Sequence, residues 1–163
     1  MHIYIKNNRL LINEYKVKCA LGKRGIGNKK KEGDFITPKG MYKIKTIFYR
    51  KDRVPHLNSK IIKKPITKNM GWCDDPKSKK YNKVIRFPFS FSAEKLYRRD
   101  NIYDIILVLN FNLNPIVKNK GSAIFIHVAK RNYKKTKGCI AISKKSLKKI
   151  TKLINHKTIV YIN

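Results

Sequence analysis

The stretch GSAIFIHVAKRNYKKTKGCIAIS, residues 121–143, holds one histidine and one cysteine, His127 and Cys139, twelve positions apart. A thiol and an imidazole within hydrogen-bonding reach are the minimum apparatus of cysteine acyl transfer: the ring takes the proton and sulfur attacks a carbonyl. Gly138, immediately before the cysteine, can take backbone angles closed to other residues, so the chain can turn sharply and present the thiol at an edge. Such a turn leaves successive N–H groups unpaired and aimed at the sulfur, a cradle for a developing oxyanion. Lys137 is adjacent, and a neighbouring cation favours the thiolate. The plainer alternatives are a hydrogen-bonded core histidine and a cysteine that is merely a small buried hydrophobe. Cys19 and Cys73 lack a glycine turn of this kind and read as buried hydrophobes.

The elements that must position this pair are mostly strands. In AIFIHVA, alternation puts Ala123, Phe125, His127 and Ala129 on one face and Ile124, Ile126 and Val128 on the other. GCIAI begins a second strand at the cysteine. HIYIK and RLLI flank Asn7-Asn8 as a hairpin, YKVKCAL follows, and MYKIKTIFY, YDIILVLNF and TIVYI complete the β runs. Two segments read as helices. SAEKLYRRD, residues 92–100, starts on a Ser cap; SKKSLKKITKLINH carries Leu147, Ile150, Leu153 and Ile154 on one face behind Ser143 as cap. The expected architecture is a mainly β domain with a few helices packed on it, residues 1–163 forming one domain.

Composition bounds the function. Forty Lys plus Arg against nine Asp plus Glu give a net charge of +31, a field that attracts polyanions and repels itself in the compact state. The lysines are spread along the chain, and neither an aromatic-basic RNA motif nor a helix-turn-helix pattern accompanies them, so no specific nucleic-acid partner is expected. Three cysteines without CxxC spacing suggest neither a disulfide framework nor zinc. The histidines His2, His56, His127 and His156 stand at no metal-ligand interval, so no metal and no cofactor is expected. No run approaches the ~20 apolar residues of a membrane span. The first eighteen residues lack a secretory apolar core and cleavage site, which reads as a cytoplasmic or already trimmed chain. Glu32 and Asp34 suit loop ion pairs or a substrate loop; Asp74 and Asp75 before Pro76 suit a turn.

His127 with TKGCIAI, residues 136–142, resembles the catalytic signature of the L,D-transpeptidase domain of YkuD type. KEGDFITPKGMYKI, residues 31–44, resembles the family's early loop and strand, while GWCDDPKSKKYN, residues 71–82, and GSAIFIH resemble a branch of small members; the likeness spans nearly the whole chain. The resemblance implies a YkuD-like β-sandwich-type catalytic domain acting on peptidoglycan stem peptides, with anionic wall polymers as further partners, and a monomer in the periplasm or cell envelope. It implies Cys139 as nucleophile, His127 as general base and the Val128 carbonyl as its orienting group. Thr136, Lys137 and Gly138 then form the oxyanion and substrate side, and Trp72, Tyr81, Asn82 and Asn110 are candidates for the cleft. The chain departs from many members in having Lys137 where they carry His and Ala141 where they carry Arg. The thioester so formed is resolved by an amine, giving a cross-link, or by water, giving a carboxypeptidase or amidase. A polyanion-binding β protein without catalysis is the reading from another class.

Overall fold

Asn7 and Asn8 both take positive φ, 50° and 55°, the two-residue turn that matches strand twist and that asparagine tolerates best. This turn joins β1 (Ile3–Lys6) to β2 (Arg9–Ile12), and β3 (Tyr15–Lys18) extends the meander. The computed structural model describes residues 1–163. After the short pair β4 (Ile26–Gly27) and β5 (Thr37–Pro38) comes the long β6 (Gly40–Tyr49), then β7 (Lys63–Pro65), β8 (Met70–Cys73), β9 (Val84–Arg86) and β10 (Ala93–Lys95). The chain ends with β11 (Ile105–Leu109), β12 (Phe125–Val128), β13 (Ile140–Ile142), the helix α1 (Lys144–Leu153) and β14 (Ile159–Ile162).

One nine-stranded sheet carries the fold, in the order β13-β12-β11-β6-β14-β1-β2-β3 with β7 paired to β6. The last strand lies parallel to the first, Ile3 opposite Val160, so the chain's two ends meet inside this sheet. Strand β11 is buried along its whole length because both faces of the sheet are covered. Ile105, Leu107 and Leu109 point into an aliphatic core with Ile126, Leu147 and Ile150; Ile106 and Val108 point the other way, against Trp72, Leu96, Tyr103 and Phe125. A small sheet, β10-β8-β9, brings Trp72 to that second face.

Helix α1 forms as its sequence predicts. The Ser143 hydroxyl accepts from the Ser146 N–H, and Leu147, Ile150 and Ile154 are buried beneath a lysine face. Residues 92–100 do not form the second expected helix. Ala93–Lys95 is instead a strand paired with β8, Glu94 opposite Trp72. The segment is too short to bury a helical stripe of its own, and its backbone is recruited by neighbours: Arg50 donates to the Arg98 carbonyl, and Arg53 to those of Arg99 and Asp100.

Candidate active site

Strands β12 and β13 run parallel, Ile126 opposite Ile140 and His127 opposite Ala141. Two positions before Ala141, at the entry to β13, Cys139 therefore falls on the same sheet face as His127 and next to Phe125. The Phe125 N–H points at the Cys139 sulfur, 3.4 Å away. Both side chains line one cavity of about 600 Å³ on that face. The sheet register thus makes diagonal neighbours of two residues twelve apart in sequence.

His127 is buried, with its Nδ1 2.9 Å from the carbonyl oxygen of Val128. A carbonyl only accepts, so Nδ1 carries the proton and Nε2 keeps its lone pair. Burial pushes the imidazole down to about 4 from 6.5, with Lys130 and Arg98 acting in the same direction and the Val128 carbonyl opposing them. The ring is neutral at physiological pH and free to receive a proton. Tyr103 packs against it edge to face, the centroids 5.4 Å apart.

The Cys139 thiol donates to the Ala123 carbonyl, 3.0 Å away. Burial raises it to about 12; the Phe125 N–H and Lys29 pull it down, and Glu94 and Glu32 push it further up. Sequence alone suggested that Lys137 would favour a thiolate, but its side chain is exposed at the cavity edge and the resting sulfur is protonated. The pair rests as neutral thiol and neutral imidazole.

The turn before the cysteine needs its glycine. Gly138 has φ +141°, and a Cβ there would stand 2.9 Å from the Ile36 carbonyl oxygen. Thr136 ties the turn: its hydroxyl donates to the Cys139 carbonyl at 2.6 Å and accepts from the Gly138 N–H at 3.1 Å. The Gly138 N–H is thereby committed, whereas those of Lys137 and Cys139 donate to no group of the protein. Thr136, Lys137 and Gly138 all line the cavity.

The four cleft candidates do not. Trp72 is buried in the aromatic core and donates from Nε1 to Asn82 Oδ1. Asn82, at φ 56°, also accepts from the Ala123 N–H, so it holds the residue whose carbonyl accepts the thiol's hydrogen bond. Tyr81 donates to Glu32 and accepts from the Gly121 N–H. Asn110 accepts from the Lys43 N–H at a strand end. These residues brace the walls because their polar atoms are consumed by other groups of the protein, side chains for Trp72 and backbone for the rest in whole or part, which spacing alone does not reveal. Asp34 takes the loop-salt-bridge role, bound to Lys29 and to three backbone N–H groups, and Asp75 the turn role through the Lys77 N–H.

Sequence reasoning missed Glu94, Arg98 and Tyr103, which share the cavity with the Cys–His pair. Reading residues 92–100 as a helix hid the first two. A strand reading of Ala93–Lys95 was the available signal, since it aims Glu94 alone to one side. A comparison with individual curated proteins finds no match. The family model for the YkuD L,D-transpeptidase catalytic domain matches residues 1–162, the β-rich fold agrees with it, and the chain belongs to that family.

Proposed function

We propose that this protein is a cysteine acyltransferase that acts as a peptidoglycan L,D-transpeptidase on tetrapeptide stems. His127 Nε2 takes the Cys139 proton as sulfur attacks the carbonyl of the L-centre. The tetrahedral adduct collapses, the C–N bond to the terminal D-residue breaks, and the imidazolium protonates the departing amine, leaving a thioester on Cys139. An amine of a second stem then attacks the thioester; His127 takes its proton and returns it to sulfur as the C–S bond breaks. Water in place of the amine gives the carboxypeptidase outcome. The uncommitted N–H groups of Cys139 and Lys137 are the donors for the oxyanion, while Thr136 and Gly138 hold the turn that exposes them.

The observation that carries this reading is the tautomer-fixed imidazole beside a thiol on adjacent strands of one open cavity. The lysines at its edge, among them Lys130, Lys134 and Lys135, favour anionic wall polymers as neighbours of the substrate. The reading places the working protein in the cell envelope, where that substrate lies. Intact-mass spectrometry with a tetrapeptide stem, and separately with a carbapenem, tests it. The wild type gains a covalent adduct on Cys139, and Cys139→Ser gains none and loses turnover by at least about a thousandfold. Full turnover by Cys139→Ser would falsify the mechanism.

A further inference from the structure

Three carboxylates line the cavity, Glu32, Asp74 and Glu94, and the chemistry above uses none of them; only Glu94 is joined through a tyrosine to His127. Glu94 lies on β10, half-buried, with Oε1 accepting from the Tyr103 hydroxyl at 2.8 Å. The other face of Tyr103's environment is His127 itself, so one residue links this carboxylate to the base. In a chain with forty Lys and Arg, Glu94 forms no ion pair. Arg98 lines the same cavity and lies over the Tyr103 ring, but its guanidinium is engaged by Asp100. Lys137 lines the cavity too and does not reach Glu94. Oε2 makes no hydrogen bond to the protein, and it is not sealed in the interior, since every buried side-chain oxygen except that of Ser122 has a partner.

A carboxylate held on one oxygen and unpaired on the other, half-buried in the wall of a cavity, is built to meet a cation. The donor half of the reaction brings a carbonyl; the acceptor half brings an amine, which arrives in water as an ammonium. We propose that Glu94 is the docking group for the ammonium of the acyl acceptor, and that it thereby sets the split between transfer to an amine and hydrolysis. This rests on the acyltransferase reading. The ammonium binds to Oε2 and sheds one proton to solvent before attack, and the neutral nitrogen then reacts with the thioester as above.

The test uses the full-length protein acylated by a tetrapeptide stem, with glycinamide as a cationic acceptor and hydroxylamine as a neutral one. Glu94→Gln keeps the acceptor atom for the Tyr103 hydroxyl and removes only the charge. The variant is expected to acylate no more slowly than the wild type, since the charge it loses is one that raises the Cys139 thiol, and to hydrolyse its thioester at the wild-type rate. Its apparent KM for glycinamide should rise at least about tenfold, the discrimination of one charge-assisted hydrogen bond, with transfer to hydroxylamine unchanged. Glu94→Asp, which keeps the charge, should recover part of the glycinamide preference. An unchanged KM for glycinamide, equal losses with both acceptors, or a loss of acylation in Glu94→Gln overturns the assignment of Glu94 alone. Failure of the wild type to form any adduct removes the acyltransferase reading beneath it.

Discussion

The two faces of the nine-stranded sheet are built from the same strands and do different work. On one, Leu107, Ile126, Ile140 and Ile150 belong to a cluster of 26 buried residues, dominated by Ile, Leu and Val. On the other, a cluster of nine holds Trp72, Tyr103 and Phe125, and the titratable groups His127, Cys139 and Glu94 stand beside it. A single strand serves both: in β12, Ile126 and Val128 go to the aliphatic side, Phe125 and His127 to the other. The aliphatic face can hold the fold without orienting anything, since dispersion and the hydrophobic effect are not directional. The aromatic face must hold polar atoms at fixed distances, and nearly all of them are hydrogen-bonded.

If this division is real, damage to one face should leave the other's property intact. Leu107 is fully buried between Ile47 and Ile126 on the aliphatic side. Leu107→Ala is expected to lower unfolding free energy by about 3–4 kcal/mol, transfer loss plus residual cavity. The rate at which a carbapenem acylates Cys139 in the remaining folded molecules should stay within about twofold, since lost burial 
does not move the Cys–His register. Chemical denaturation and a labelling time course, both run where the variant is folded, measure the two quantities. A labelling rate that falls with stability would show that the faces are mechanically one.

The same division explains what could be read from sequence. The alternation in β6 and the short apolar runs of β11, β12 and β14 announced strands, and Ser143 with its apolar stripe announced α1, because the aliphatic face writes its signal locally. Gly138 and Cys139 were legible for a different reason: a glycine immediately before a cysteine at the entry to an apolar run marks a sharp local turn, and Gly138 does take a φ of +141°. Val128 as the orienting carbonyl came from family resemblance alone, and Nδ1 does face it. The braces were not legible. Asn82 reaches Ala123 across 41 positions and Tyr81 reaches Glu32 across 49, so their partners are fixed by tertiary contact and leave no local pattern. Glu94 was hidden because a short polar segment with a Ser at its start satisfies the helix signals, until pairing with β8 decides otherwise.

His127 sharpens the comparison through pH. Its native value of about 4 lies below the ordinary 6.5, so between these values the unfolded chain binds more protons than the folded one. Stability is then full above pH 6.5 and falls as pH drops towards 4, by at most about 3 kcal/mol from this group. Glu94 works against the slope, since burial raises its carboxyl and so favours the folded state on the acid side. Asp34, lowered to about 2, acts only below its ordinary 3.8. The measurement is therefore a difference: denaturation from pH 4 to 7 for wild type and for His127→Gln. The wild type should lose stability on acidification more steeply than the variant. Parallel curves would mean that the imidazole is not held neutral by burial.

The smallest effect probes the one fully buried side-chain polar atom without a partner. Ser122 is buried, and its Oγ makes no hydrogen bond, although it lies on the cavity wall between Gly121 and Ala123, whose φ values are both positive. A desolvated hydroxyl without a partner opposes folding, so Ser122→Ala should be neutral or stabilising by up to about 1 kcal/mol. It appears as a shift in denaturation midpoint at constant slope. The same turn presents the Ala123 carbonyl to the Cys139 thiol, so acylation offers a second readout, expected to be unchanged. A loss of stability together with slower acylation would mean that the hydroxyl holds a water in the wall of the cavity. Satisfaction would then extend to every fully buried side-chain polar atom, and the contrast with the aliphatic face would be stronger still.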